Sequence, residues 1–229
     1  MLLLAVGLIW SLVEPHLLIL RRHTVISPEL PRQFDGFSIA LVTDLHIGSF
    51  GGMGRLERAT ELVEREDVDL ILLGGDYISR RRDSYQELFA PLVKIAPPHG
   101  VLAVSGNHDH RHDYHNIIEA MQEAGVIPIE DNAVLFGPED GNGPIREAAS
   151  TPGPALQVLG VPDLWYHGFS DRNVRRMAQP GVFRILLSHN SDYLIENSEP
   201  YDLGLAGHSH GGQITRFGLW ATFLPGEHK

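Results

Sequence analysis

Cysteine is absent from the 229 residues of this chain, which excludes disulfide bonds and thiolate-bound zinc. An excess of positive charge is also absent, because the formal net charge is −11 with histidine neutral. Nucleic acid is therefore not an expected partner, since its phosphate backbone requires a basic surface. With 43% hydrophobic and 21% charged residues, the composition is that of a globular domain with a core of its own.

Long apolar runs are scarce, and the most apolar segment lies at the N-terminus. Residues 2–13 are apolar apart from Ser11, whereas a membrane-spanning helix needs about 20 residues. The segment suits a membrane anchor or an interfacial helix, with a signal-peptide core, a buried helix and a truncated longer span as alternatives. Arg21 and Arg22 follow and favour a cytoplasmic location for what comes after them. We therefore predict an anchor helix over residues 1–20 of a membrane-associated protein.

After a predicted linker over residues 21–37, the predicted catalytic domain over residues 38–229 contains short apolar runs that indicate buried strands. Metal-binding side chains stand just past the ends of five such runs: Asp44, Asp76, Asn107, His189 and His208. The first three follow one another at about 30 residues, the length of a strand–helix–strand unit. Since parallel strands joined in this way end at one edge of a sheet, we expect these side chains to meet there.

The residue types in these segments are those of a divalent metal site. Carboxylates, an amide and several imidazoles together suit a pair of divalent ions. His46 follows Asp44 by two residues and His210 follows His208 by two, so on an extended backbone each pair points to one side. Asp76 comes after two glycines that allow close backbone approach. Because paired metals activate water and bind phosphoryl oxygens, the pattern predicts a phosphoester hydrolase.

Two further residues follow Asn107 directly and are surplus to the ligand count. His108 is well placed by sequence to protonate the leaving oxygen or to stabilise the transition state. Asp109 is expected to orient the ring of His108 and to raise its basicity. We therefore predict His108 and Asp109 as catalytic residues.

The motifs Asp-x-His, Gly-Asp, Gly-Asn-His-Asp, His and Gly-His-x-His occur in this order between residues 44 and 210. In that order they resemble the calcineurin-like metallophosphoesterases. The resemblance implies an α/β fold, a four-layer αββα sandwich of two mixed sheets with helices outside and a metal site at the C-terminal ends of the strands. It also implies two divalent metal ions, with manganese expected and iron or zinc as alternatives. The implied ligands are Asp44, His46, Asp76 and His210 for one ion, and Asp76, Asn107, His189 and His208 for the other.

The sequences around Asp44 and His210 are similar to those of a membrane-associated bacterial branch of this family. That branch includes phosphodiesterases and hydrolases of UDP-2,3-diacylglucosamine, which implies a phosphodiester or pyrophosphate substrate that is lipid- or nucleotide-linked. A phosphomonoesterase, a nuclease and a non-catalytic scaffold are the alternatives. Family domains usually continue well past the last histidine, so we expect the domain to be incomplete at its C-terminus.

Other polar and aromatic side chains leave more than one interpretation open. The arginines at positions 80–82 suit either a solvated turn or a clamp for a second anionic group. His110, like two histidines that follow it, suits a solvated or helix-capping role, with contact to substrate as the alternative. Trp165, Tyr166 and Phe169 suit the core, a pocket rim or a membrane contact.

Overall fold

A computed structural model describes residues 17–48, 52–137, 155–170 and 172–210, apart from the side chain at position 173. Most of the predicted anchor helix and the residues after 210 lie outside these ranges. None of the helices within them combines the length and the apolar character needed to span a membrane.

Among the described residues, the first sheet contains four parallel strands in sequential order. Its strands are β1 (Ile39–Val42), β2 (Leu70–Leu73), β3 (Val101–Ala103) and β4 (Ile127–Pro128). The helices between them are α1 (Gly52–Glu64), α2 (Ala90–Val93), α3 (Asn107–His112) and α4 (Tyr114–Ala124). The strand–helix–strand units expected from the spacing of the motifs are therefore present, and their strands share one direction.

The second sheet also has four described strands, with β5 antiparallel to β6 and the remaining neighbours parallel. Its strands are β5 (Asn132–Phe136), β6 (Leu156–Gly160), β7 (Phe183–Ser188) and β8 (Leu203–Ala206). Three short helices accompany them: α5 (Leu164–His167), α6 (Arg172–Met177) and α7 (Ser191–Glu196). Because β6, β7 and β8 are parallel, the segments that follow them emerge at one edge.

The alternation of side chains along the strands separates the core into layers. In β2 every residue is buried, yet Ile71 packs with the helices of the first sheet while Leu72 packs against the second sheet. In β6, Val158 packs between the sheets and Leu159 packs with Val174 of α6 on the outer face. The layers thus run helix, sheet, sheet, helix, which confirms the predicted four-layer sandwich.

Candidate metal centre

The polar residues predicted from the sequence meet where strands of both sheets end. Asp44 and Asp76 follow β1 and β2, and Asn107 begins α3 after β3, whereas His189 and His208 follow β7 and β8. A hydrogen bond joins the two sheets here, since Nδ1 of His189 lies 2.7 Å from the carbonyl oxygen of Gly74. A carbonyl can only accept, so Nδ1 carries the proton and Nε2 of a neutral ring is free to bind a metal.

The first donor group consists of side chains from Asp44, His46, Asp76 and His210, whose donor atoms all lie within 4.8 Å of one another. Nε2 of His46 is 3.0 Å from Nε2 of His210 and 3.5 Å from Oδ2 of Asp76. Nε2 of His210 is 3.6 Å from Oδ1 of Asp44. Around an ion with ligands at about 2.1 Å, neighbouring donor atoms lie about 3.0–3.4 Å apart. The spacing of this group therefore fits a metal ion.

The second donor group contains Asp76, His189 and His208, again within 4.8 Å of one another. Nε2 of His189 is 3.4 Å from Oδ2 of Asp76, 3.2 Å from Nδ1 of His208 and 3.1 Å from Oδ1 of Asn107. The amide oxygen of Asn107 therefore completes a second set of four donors. Asp76 belongs to both groups, and its Oδ2 faces His46 on one side and His189 on the other.

The backbone at these residues is not the extended chain that we expected for the pairs Asp44–His46 and His208–His210. Five donor residues have positive φ angles: Asp44 (55°), His46 (47°), Asp76 (55°), His208 (66°) and His210 (52°). Each such left-handed residue costs about 1–3 kcal/mol, although Asp and His tolerate it better than bulkier residues. The expectation of extended pairs was wrong, because tight left-handed turns bring the donor atoms of these side chains toward one another.

Two glycines allow the turns to approach one another. A Cβ atom on Gly75, where φ is 91°, would lie 2.6 Å from the backbone nitrogen of Gly106 and 2.8 Å from Nδ1 of His189. A Cβ atom on Gly207 would overlap Oγ1 of Thr43. The glycines beside Asp76 and His208 are therefore needed because backbone and side chains of neighbouring strands pack directly against them.

Burial and opposite charge set the protonation of the donor groups. Burial opposes the charged form of Asp76, but the hydrogen bond and charge of His189 outweigh it and lower the pKa of Asp76 to about 2. Burial also opposes a charged His189, but Asp76 and Asp44 raise its pKa to about 9, so without metal the ring is protonated at pH 7 and a bound ion would displace the proton on Nε2. Burial lowers the pKa of His46 to about 3 and that of His208 to about 4. His46 and His208 are therefore neutral at pH 7 and carry the lone pair that a metal requires.

His108 lies beside the first donor group without being part of it. Its backbone N–H donates a hydrogen bond of 2.8 Å to Oδ1 of Asp76, and its ring meets the ring of His46 edge-on at 4.6 Å between centroids. Burial lowers the pKa of His108. Its Nδ1 has no hydrogen-bond partner among the described residues. The ring is therefore held next to the donor atoms with one nitrogen uncommitted.

Asp109 does not orient His108, so the role that we predicted for it is wrong. Its Oδ2 accepts hydrogen bonds from the backbone N–H groups of Asp76 (2.8 Å) and Gly106 (2.9 Å), and its Oδ1 accepts from Tyr77 (2.9 Å). Asp109 is fully buried, and burial together with the charge of Asp76 raises its pKa to about 8, against the effect of these N–H donors. Asp109 is a positioning residue that fixes the turn carrying Asp76.

We expect Asp109→Asn to lower the free energy of unfolding by about 3 kcal/mol, because the amide NH2 would face buried N–H donors and leave them unpaired. Urea unfolding of the metal-free chain measures this change. Asp83→Asn serves as the control, since Asp83 is exposed and a surface change of this kind is usually within about 0.5 kcal/mol. Equal stability of the two variants would contradict the positioning role.

The remaining predicted residues take separate positions. Arg81 pairs with Asp113 at 3.2 Å, and the side chain of Arg80 lies close to Gly48, just past the turn that carries His46. His110 is outside both donor groups and lies 2.8 Å from Oγ of Ser105 through its Nε2. Trp165, whose role the sequence left open, contacts the ring of His208 at 4.6 Å between centroids.

Comparison with known proteins agrees with this geometry. The family model of the calcineurin-like phosphoesterases matches residues 37–212, and the chain belongs to that family. It is therefore a metallophosphoesterase, a hydrolase that acts on phosphoric ester bonds. The predicted family and enzyme class are confirmed.

Three relatives illustrate the range of the family. The chain is 32% identical over 206 residues to the uncharacterised metallophosphoesterase YkuE of Bacillus subtilis (strain 168), covering 88% of this chain and 68% of YkuE. It is 30% identical over 201 residues to the phosphodiesterase YaeI of Escherichia coli (strain K12), covering 84% and 67%. It is 26% identical over 240 residues to the UDP-2,3-diacylglucosamine pyrophosphatase LpxG of Chlamydia muridarum (strain MoPn / Nigg), covering 89% and 72%.

Proposed function

We propose that the chain hydrolyses a phosphodiester or a pyrophosphate at a centre of two divalent metal ions. The observation that carries this proposal is that Asp76 belongs to both donor groups. One ion would be held by Asp44, His46, Asp76 and His210, and the other by Asp76, Asn107, His189 and His208. When bound, such a pair supplies activation of water and polarisation of the phosphoryl group. The mixed nitrogen and oxygen donors suit manganese, with iron and zinc as alternatives.

The charge of the centre favours a diester over a monoester. Two divalent ions bring four positive charges, of which the carboxylates of Asp44 and Asp76 neutralise two. A diester has one negative charge and a hydroxide nucleophile has another, so together they balance the remainder. A monoester has two negative charges, so with the same hydroxide nucleophile it would exceed the two positive charges that remain. The name of YaeI, a phosphodiesterase, supports the same choice, whereas that of LpxG, a pyrophosphatase, supports the pyrophosphate alternative.

The chain's own residues would bind and orient the substrate and supply the proton. His108, whose ring is partly exposed and lies against His46, is positioned to protonate or hydrogen-bond the leaving oxygen. Asp109 keeps Asp76 in place through the backbone. A lipid- or nucleotide-linked substrate and a location at the cytoplasmic side of a membrane are parts of this proposal. They rest on the similarity to LpxG and on the apolar segment followed by Arg21 and Arg22.

Metal removal and readdition tests the proposal. The chain stripped of metal by a chelator is expected to be inactive, and Mn²⁺ is expected to restore hydrolysis of bis(p-nitrophenyl) phosphate. Hydrolysis of p-nitrophenyl phosphate under the same conditions should have a lower kcat/KM. A failure of Mn²⁺, Fe²⁺ and Zn²⁺ to restore any hydrolysis would contradict the catalytic proposal. A higher kcat/KM for the monoester would contradict the proposed substrate class alone.

A further inference from the structure

Two large aromatic side chains remain about half exposed beside the donor groups. They are Trp165 and Tyr166, with exposed fractions of 56% and 49%. Both belong to α5, which packs against α3, the helix that begins with Asn107. We call these two side chains the aromatic shelf. Single exposed apolar side chains are common, but two adjacent exposed rings beside a reaction centre form a patch of the kind that marks a ligand surface.

Trp165 forms the part of the shelf nearest to the donor atoms. Its ring meets the ring of His208 at 4.6 Å between centroids and at an interplanar angle of 86°. His208 is a member of the second donor group. A substituent on a phosphoryl group bound at this centre would therefore reach the indole ring of Trp165 through a short linker.

Tyr166 ends a column of three nearly parallel rings. It stacks on His110 at 5.0 Å and 17°, and His110 stacks on Tyr114 at 4.3 Å and 11°. Hydrogen bonds hold the inner rings, because Oγ of Ser105 lies 2.8 Å from His110 and the hydroxyl of Tyr114 donates to Glu130 at 2.8 Å. The outer ring of such a column offers an ordered surface on which a further planar ring can stack.

The backbone of the shelf is held in place before any ligand arrives. Asp163 caps α5, and its buried Oδ1 accepts hydrogen bonds from the backbone N–H groups of Trp165 (3.0 Å) and Tyr166 (3.2 Å). Tyrosine and tryptophan have only two side-chain torsions, so they bind a ligand at a low cost in conformational entropy. The shelf is therefore pre-organised for stacking.

We propose that the aromatic shelf binds a planar aromatic group of the substrate, either a nucleobase or an aryl ring, next to the phosphoryl group that reacts. This inference rests on the proposed function and specifies its substrate class. The parallel column of Tyr166, His110 and Tyr114 favours a ring over a lipid chain, because an acyl chain gains nothing from parallel ring planes. Neutral stacking also adds affinity without a basic surface, which this acidic chain does not have overall.

Calorimetric titration of the full chain in Mn²⁺ with matched phosphates tests the proposal. Adenosine 5′-monophosphate is compared with ribose 5-phosphate, and phenyl phosphate with methyl phosphate, so that each pair differs only in the ring. We expect the member with the ring to bind about tenfold more tightly in at least one pair. Tenfold corresponds to about 1.4 kcal/mol, within the range of base–aromatic stacking. The pair with the larger ratio distinguishes a nucleobase from a simple aryl group.

Substitutions then test whether the tighter binding of the phosphate with the ring depends on the shelf. Trp165→Ala and Tyr166→Ala are expected to remove most of it, whereas Trp165→Phe and Tyr166→Phe retain most. Phe169→Ala is the control, because Phe169 is 38% exposed but its ring packs against Tyr193, 5.1 Å away, and not against a donor residue. Ribose 5-phosphate and methyl phosphate should bind Tyr166→Ala, Tyr166→Phe and Phe169→Ala as tightly as they bind the unchanged chain.

Three outcomes would overturn the proposal. The first is that neither pair of phosphates shows tighter binding of the member with the ring. The second is that this preference persists in both Trp165→Ala and Tyr166→Ala. The third is that octyl phosphate exceeds methyl phosphate in affinity by as much as phenyl phosphate does. The last result would assign the surface to lipid. Because the titration measures binding and not turnover, a failure of Mn²⁺ to restore hydrolysis would contradict the proposed function without deciding the role of the shelf.

Discussion

Asp76→Ala is expected to remove both metal ions and to lower kcat/KM for a phosphodiester by about 1000-fold or more. The reason is that Asp76 is the carboxylate within reach of both His46 and His189, at 3.5 and 3.4 Å. Metal ions contribute several kcal/mol of transition-state stabilisation, and each 1.36 kcal/mol is a factor of ten in rate. Metal content after gel filtration and steady-state kinetics measure the two losses.

Asp44→Ala is the matched control for this substitution. Asp44 belongs only to the first donor group, so its removal is expected to release one ion and to keep the other. Asp76→Asn preserves the shape of the side chain, so that a loss of metal can be separated from a folding defect. Circular dichroism checks that each variant is folded. Retention of two ions by folded Asp76→Ala or Asp76→Asn would contradict the shared role of this carboxylate.

His108→Ala is expected to keep both metal ions and to lower kcat by about 10²- to 10⁴-fold, the usual range for a general acid or base. Its ring lies against His46 but is not part of either donor group, so the ions have no need of it. The loss should grow as the leaving group becomes more basic, because a poor leaving oxygen depends most on the proton. A series of aryl and alkyl diesters measures this dependence.

His112→Ala is the control for His108, since both rings belong to α3 and their centroids are 5.9 Å apart. It is expected to leave metal content and kcat unchanged. If His108→Ala also loses metal, the imidazole has a structural role at the centre. If its loss of kcat is the same for good and poor leaving groups, it does not protonate the leaving oxygen.

The convergence of the donor residues could be predicted from sequence because it depends on topology. Asp44, Asp76 and Asn107 follow consecutive parallel strands, and such strands end at one edge. His189 and His208 also follow apolar runs, but their strands belong to the second sheet, so a shared sheet edge does not explain why they meet the first three. The contact between the two sheets is a tertiary feature that strand lengths and spacing do not encode.

The local geometry could not be predicted in the same way. The left-handed φ angles at His46 and His210 are imposed by packing against neighbouring turns, and Asp and His have no strong intrinsic preference for them. Asp109 is next to His108 in sequence, but consecutive residues of a helix do not face each other. A usable signal was present, since an acidic residue three positions after Gly106 is typical of a helix that is capped at its N-terminus.

The central claim is that two metal ions share Asp76, and electron paramagnetic resonance during titration of the metal-free chain with Mn²⁺ tests it most directly. The two donor groups predict two Mn²⁺ ions per chain, close enough at about 3.5–4 Å to give an exchange-coupled spectrum. The same titration of Asp76→Asn should give no coupled signal. Saturation at one ion per chain, or two ions with uncoupled spectra, would contradict the claim.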